Sequence, residues 1–524
     1  MSKAKWIILF LLALAVAAPS YAVELTLGGF PSYFRIRPQV YHNATFLGVL
    51  SNGEAEALGF SDNTDNEVFV DSRLRLTPQL VLSDAVTIRA QVDVVDNMIW
   101  GGTGSNLVNG QTNFGGQTLI NSSLTPGDRF RGAILIGLTS PATDSPQFFN
   151  VRMIHADIVL PNGLGFLRVG RQPFDWGLGI LANGGWDPLS DLGFVLDRFL
   201  YLKSWPLYKG SFTFVLVSDR LTQGNTLVTA TGDGWDGAAV AMIYNQGPFT
   251  IGGYVFPYIH QTDFLHTAPT IPPGTNGVES GLNLDRLTLW SGLIDYKSNW
   301  FRLVGEIQGE EGNVHGTGLN LHVSGKNIIF AARAEVYPGF PVKLIAGEFG
   351  WAKGDNKDTA TNLEGDVINF NPAYNIDNLL FKHIIPTIYQ TETSVENAYY
   401  ARAWGTVKLM DHVTMTPQVL FAWNQERQSP LFAGEGEIRR FLGAELEDTL
   451  SIEVVPGVNF DFIGSVVISG GGLKDLINDQ AKGVCASNTN CATLLPVDGT
   501  SGGPKAPYAF QGRLLVYIDQ FFKK

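Results

Sequence analysis

The sequence predicts an all-β chain, a transmembrane antiparallel up-and-down β-barrel of about 18 strands with short periplasmic turns and long extracellular loops; about 16 is the alternative count. Three observations predict it. Arg73 to Val95 alternates with a period of two on both sides of Ser83-Asp84-Ala85, as the strands of a hairpin do. Short turns and long polar loops then alternate strictly along the chain. No apolar run after the N-terminus reaches the roughly eighteen residues that a helical span requires.

In the opening hairpin, Leu74, Leu76, Pro78, Leu80 and Leu82 share one face, and Val86, Ile88, Ala90, Val92 and Val94 continue it. The other face carries Arg73, Arg75, Thr77, Gln79, Thr87, Arg89, Gln91 and Asp93. An unbroken apolar face of about ten residues suits lipid, and the arginine-bearing face suits a wet lumen.

Residues 1–22 read as a secretory signal. Lys3 and Lys5 precede the apolar run Trp6 to Ala18, and Ser20-Tyr21-Ala22 offers a cleavage site after Ala22. The barrel domain is then 23–524, exported through the periplasm to a bacterial outer membrane. Without Lys3 and Lys5, 34 basic residues face 49 acidic ones, which speaks against nucleic acid as a partner. Outer-membrane lipid and lipopolysaccharide are the expected surroundings.

Taken in order, the first strand alternates Phe34, Ile36, Pro38 and Val40 with Arg35, Arg37 and Gln39. The loop 43–66 leads to the opening hairpin, strands two and three, and the loop 99–147 follows. Strands four and five lie near 148–160 and 163–173, and a Trp- and Gly-rich loop runs 174–196. Strands six and seven (197–204 and 209–217) flank Trp205-Pro206, and eight and nine (235–245 and 248–258) flank Gln246-Gly247-Pro248. Ten and eleven (285–295 and 299–309) and twelve and thirteen (326–337 and 340–351) are separated by a loop at 310–325. Fourteen and fifteen (398–410 and 413–425) turn at Asp411-His412. Sixteen and seventeen (437–448 and 451–468) turn at Asp448-Thr449, and strand eighteen is 508–520. Eighteen strands are more than side chains fill, so a channel is expected unless a loop plugs it. The loops 99–147 and 352–397 are long enough to fold inward.

The inward parity carries Arg35 and Arg37 on strand one, Asp71, Arg73 and Arg75 on strand two, Arg89 and Asp93 on strand three, and Arg513 and Asp519 on strand eighteen. These strands become neighbours when the barrel closes. Further round, Arg302 shares parity with Glu306, Arg333 with Glu335, and Arg402 with Lys408. Two readings compete. Guanidinium forks match carboxylate and phosphate groups and can guide anions. Alternatively, arginines and carboxylates satisfy one another across strands. The track is preferred for the four-strand wall, and mutual pairing for the 302/306 and 333/335 pairs.

Cys485 and Cys491, separated by five residues in an exported chain, read as a disulfide rather than a metal site, since two ligands without a nearby His are too few. The acidic excess lies in loops, for example Glu54, Glu56, Asp62 and Asp65, at a spacing unlike an EF-hand, so solvated loop charge is preferred to bound Ca²⁺. The eight His are scattered, and neither a GxSxG elbow nor a haem motif is present, so no enzyme, metal or cofactor is expected.

One segment departs from the strand rhythm: Leu167-Arg168-Val169-Gly170-Arg171-Gln172-Pro173-Phe174, then Trp176-Gly177-Leu178-Gly179, and downstream Phe194-Val195-Leu196-Asp197-Arg198-Phe199. It resembles the GRQ-type segment of outer-membrane porins and alginate-export-like barrels. The resemblance covers about thirty residues and implies an 18-stranded barrel whose arginine-rich lumen passes anionic molecules, with Arg168 and Arg171 on the pore. The text around GRQ and the closing Lys523-Lys524 depart from it, so the exported substrate is not carried over. A second reading makes Arg168 and Arg171 a rim bulge, with Trp176 and Trp186 in the aromatic girdle. The functional expectation is an outer-membrane channel for diffusion or export of hydrophilic solutes, leaning to anions. A non-conducting scaffold barrel is the alternative, with a barrel enzyme behind it.

Overall fold

The computed structural model describes residues 24–27, 30–42, 66–99, 150–191, 193–223, 234–260, 282–316, 319–354, 369–371, 373–385, 395–427, 438–476 and 506–522. The signal segment and both cysteines, Cys485 and Cys491, lie outside the described residues. Twenty strands follow in order. They are β1 (Glu24–Leu27), β2 (Tyr33–His42), β3 (Asn66–Leu76), β4 (Pro78–Ser83), β5 (Val86–Ile99), β6 (Asn150–Leu160) and β7 (Gly165–Pro173). Next come β8 (Val195–Leu207), β9 (Gly210–Gln223), β10 (Gly234–Gln246), β11 (Phe249–His260), β12 (Leu282–Lys297), β13 (Phe301–Gly316) and β14 (Leu319–Val336). The last are β15 (Val342–Ala352), β16 (Ala398–Met410), β17 (Val413–Asn424), β18 (Phe441–Val455), β19 (Val458–Ser469) and β20 (Tyr508–Tyr517).

These make one closed antiparallel barrel of 18 strands. The numbers reconcile because two staves are broken. β1 continues the line of β2, and β4 that of β3: β2 pairs with β3 while β1 pairs with β4. The break after β3 falls at Thr77, whose N–H is taken by Ser32 Oγ instead of a ladder carbonyl. Each stave pairs with the next, and β20 closes on β2 with Tyr33 opposite Tyr517 and His42 opposite Tyr508. Closure leaves no open edge along this seam, where unpaired amides in lipid would each cost several kcal/mol.

The period-two pattern separates two environments. Outward positions such as Ile154, Phe199, Ile251, Leu303, Ile345, Phe421 and Phe462 are apolar and exposed. A belt of that size on a soluble protein would aggregate; on a barrel it faces acyl chains. Inward positions carry the buried charges: Arg35, Arg73, Asp93, Arg198, Glu306 and Arg513 among them.

Four boundaries differ from expectation. The loop at 310–325 is strand, since β13 and β14 run on to Gly316 and Leu319. The alternation of Leu319, Leu321 and Val323 with Asn320, His322 and Ser324 is the sequence signal for this part of β14. The turn expected at Asp448-Thr449 is ladder, opposite Gly464 and Ile463; the chain turns at Pro456-Gly457, where Gly457 takes φ +85°. Trp205-Pro206 also lies within a strand, and the turn is at Tyr208-Lys209. Finally, the last strand stops at Tyr517 and a short helix, Ile518–Phe522, holds Asp519.

Candidate functional site

The lumen is not empty. The connection from β7 to β8, described at 174–191 and 193–194, folds back into the barrel and is fixed there by its own bonds and from two walls. It closes on itself through Phe174 N–H to Phe194 O (3.0 Å), Trp176 N–H to Ala182 O (3.0 Å) and Phe194 N–H to Asn183 O (2.8 Å). On one wall, Glu306 of β13 accepts the backbone N–H groups of Leu178 (2.7 Å), Gly179 (3.0 Å), Ile180 (3.4 Å) and Leu181 (3.1 Å). On the opposite wall, arginines donate to its carbonyls: Arg35 to Pro188 O (2.7 Å), Arg73 to Ser190 O (2.7 Å) and Asp191 O (3.1 Å), Arg75 to Gly185 O (3.2 Å) and Arg152 to Gly184 O (2.9 Å).

A second inserted segment lies within the connection from β15 to β16. Residues 369–371 and 373–385 carry Phe370, Tyr374, Ile376, Leu379, Leu380, Phe381 and Ile384 into an apolar cluster with Ile180 of the first loop and with Tyr400, Leu420 and Val467 of the wall. Glu445 of β18 accepts the N–H groups of Asn378 (3.1 Å), Leu379 (3.1 Å) and Leu380 (2.8 Å), repeating the device of Glu306. Arg402 and Gln418 donate to Ile376 O at 3.0 and 2.9 Å.

The two loops meet. Asn371 N–H donates to Ile180 O (2.8 Å) and its Nδ2 to Leu181 O (3.2 Å). Lys382 Nζ lies 3.5 Å from Asp191 Oδ2, and Asp191 is in turn held by Arg35 (3.1 Å) and Arg37 (2.9 Å). Burial opposes the Asp191 carboxylate, yet Arg37, Lys382 and Arg35 hold it well below the usual carboxylate range. Burial likewise pulls Lys382 below an ordinary lysine, and Asp191 partly offsets this.

Each inward arginine singled out in the sequence has partners. Arg35 and Arg37 share Asp71 and Asp191. Arg75 forms a two-pronged pair with Asp93 (2.7 and 2.8 Å), and Arg513 pairs with Asp461 (2.9 Å). Arg89 and Arg168 both reach Asp157. Arg302 pairs with Asp295 (2.7 Å) rather than Glu306, with Glu335 at 3.9 Å. Arg333 lies 3.7 Å from Glu335 but bonds more closely to Glu348 (2.6 Å), which Arg402 shares at 2.9 Å. Lys408 pairs with Asp411 in the turn.

Arg171 is the correction. Three residues from Arg168, it stands on the opposite face, with exposed Val169, and pairs on the outside with Asp197 (2.8 Å). Trp176 and Trp186 are not in a girdle: Trp176 is buried with Nε1 donating to Ser291 Oγ (2.9 Å), and Trp186 stacks on Phe30 at 3.8 Å. Of the two loops expected to fold inward, 99–147 lies outside the described residues, while part of 352–397 does enter. The loop at 174–194, not expected to do so, enters as well. Asp157, Glu348 and Asp295 were missed although they sit on strands of inward parity; Asp191 had no periodic signal at all. Among the described residues, no group of three or more His, Cys, Asp and Glu side chains could hold a metal ion.

No protein-family model matches the chain, and no curated protein does. Solved structures similar to it include OccAB1 of Acinetobacter baumannii, with 9% identity, TM-score 0.44, and coverage of 93% of this chain and 96% of that one. OccK2 of Pseudomonas aeruginosa has 9% identity, TM-score 0.43, and coverage of 93% and 98%. The outer membrane channel DcaP of Acinetobacter baumannii has 8% identity, TM-score 0.38, and coverage of 95% and 98%.

Proposed function

We propose that the chain is a porin-like channel of a Gram-negative outer membrane, passing hydrophilic solutes by diffusion with a preference for anions, and that it is not an enzyme. One observation carries the reading: an 18-stranded barrel, apolar outside, whose lumen is lined by charged strands and narrowed by two hydrogen-bonded loops. Such a lumen is wider than side chains fill, and its charges are useful only to something hydrated. The apolar belt fits outer-membrane lipid, with lipopolysaccharide at its outer rim. Arg302 and Arg333 retain 27% and 19% side-chain exposure between the strands, so guanidinium groups still face the lumen. Passage of anions is also what the likeness to alginate-export-like barrels implies.

Planar-bilayer recordings of refolded protein test this. Ohmic conductance with a reversal potential favouring anions in a KCl gradient is expected. Cation preference removes the anion claim. Silence at all voltages favours a second reading, a non-conducting scaffold barrel, to which the apolar cluster of Ile180, Phe370 and Leu380 in the lumen lends support.

A further inference from the structure

Most inward arginines are spent on seating the loops. Side-chain exposure falls to 0% for Arg35, 6% for Arg37, 2% for Arg75 and 6% for Arg513. Among the more exposed ones, two stand apart. Arg89 of β5 and Arg168 of β7 flank Asp157 of β6 on three adjacent staves and keep 25% and 28% exposure. Their register is close: Asp157 stands opposite Arg168, and Arg89 opposite His155, two residues from Asp157 along β6.

The charge here does not balance. Arg168 grips Asp157 with two prongs, Nε to Oδ1 at 2.6 Å and Nη2 to Oδ2 at 3.1 Å. Arg89 reaches the same Oδ2 through Nε at 3.0 Å. Among the described residues, the hydrogen bonds of Arg89 run through Nε alone, so its two Nη groups are left to the lumen, as is Nη1 of Arg168. By contrast, Arg302, Arg333 and Arg402 meet Asp295, Glu335 and Glu348, an even balance. The Arg168 guanidinium also lies over the Phe166 ring at 5.5 Å, which holds its plane while leaving its edge open. The place within the pore is equally specific. Arg89 and Arg168 each sit three residues from the short-turn ends of their strands, Val86 and Gly165, about 10 Å in. The first inserted loop stops just above, where Gly185 and Trp186 meet Arg75 and Phe30.

We propose that Arg89 and Arg168, with Asp157 as the strut that orients both, form an oxyanion-binding station on the short-turn side of the two-loop constriction. Its ligand class is a small solute bearing a carboxylate or phosphate, whose paired oxygens match the open guanidinium edges. The proposal rests on the channel reading and deepens it by naming the two residues that meet the solute.

The test uses the full chain with inorganic phosphate and succinate as probes. Binding is measured calorimetrically in detergent micelles, and interruption of KCl current is measured with each probe added to one side at a time. The R89Q/R168Q variant is expected to weaken binding of both probes by at least about tenfold and to abolish the interruption seen from the short-turn side. R89K/R168K, which keeps charge but not the fork, is expected to retain chloride selectivity while losing most oxyanion binding. R171Q, which removes one positive charge from the outer face, is expected to bind as the parent does. Loss for phosphate alone, or for succinate alone, assigns the station to that oxyanion. Parental affinity in R89Q/R168Q, or equal loss in R171Q, overturns the station. Parental binding in a conducting, anion-selective R89Q/R168Q sinks the station and leaves the channel reading intact. Binding by a chain that does not conduct sinks the channel reading and leaves the station standing.

Discussion

Glu306 illustrates how one side chain positions a whole loop. Its carboxylate sits where four successive amides, from Leu178 to Leu181, converge, an anion-binding nest turned inward on the protein's own carboxylate. The nest requires the two glycines of Trp176-Gly177-Leu178-Gly179, at φ +56° and +96°, and a Cβ on Gly177 would stand 2.5 Å from Glu306 Oε2. Removing the carboxylate orphans several buried donors at about 1–3 kcal/mol each, so E306A is expected to release the 174–194 loop without unfolding the barrel. Single-channel recordings should then show larger, noisier conductance, and protease should cut within 174–194; parental conductance and resistance would contradict the anchoring role. A second residue tests the wall. Arg75 and Asp93 are buried together, and R75M leaves Asp93 charged and alone, at a cost of about 3–5 kcal/mol. A lowered temperature for loss of the compact gel mobility of the folded barrel checks it. The inward parity of these arginines was legible in the sequence, because a period of two needs only neighbours along one strand. Their partners were not. Glu306 shares parity with Arg302, yet its true partner is a backbone turn 125 to 128 residues away.

At the scale of elements, legibility differed between strands and inserted loops. Most strands were legible to within a few residues, while β18 runs on to Val455 past the turn expected at Asp448-Thr449, and the hairpin tip of β13 and β14 read as loop although Leu319, Leu321 and Val323 alternate with polar residues. The inserted loops have no period because their contacts are set by the wall rather than by their own repeat. The second loop carries its own acid. Burial pushes Asp377 up to about 6 from an ordinary 3.8, against hydrogen bonds from Phe381 and Lys382 N–H that pull it down. Glu445, Glu447, Lys382 and Arg402 are the charged groups around it. A carboxyl raised on folding favours the seated loop at acid pH, and that contribution fades as pH rises from about 4 through 6. Backbone amides of 378–382 should therefore exchange more slowly at pH 5 than at pH 7 after correction for intrinsic exchange. D377N should shrink the difference; an unchanged difference would remove Asp377 from the account.

For the whole molecule, the decisive split is between a lipid-facing and a lumen-facing set of side chains, and each face sets its own rule for substitution. Ile307 points outward, 40% exposed, six residues from the short-turn end of β13, about 20 Å along the strand and, with the strand's tilt, about 15 Å in depth, near the middle of the apolar belt. Val454 points outward too, 58% exposed, but lies one residue from the end of β18, where headgroups begin. A charge at the midplane costs roughly 2–4 kcal/mol in such barrels and about 0–1 near the interface. I307R should therefore lower the urea midpoint of vesicle-embedded protein well below that of V454R, although the two replace similar aliphatic groups. The water-facing alternative makes the opposite demand: a soluble barrel of the same sequence would accept arginine equally at both positions. Equal midpoints for the two variants would place water, not acyl chains, around this sheet, and with it would go the hydrated lumen that every charged residue inside has been assigned to serve.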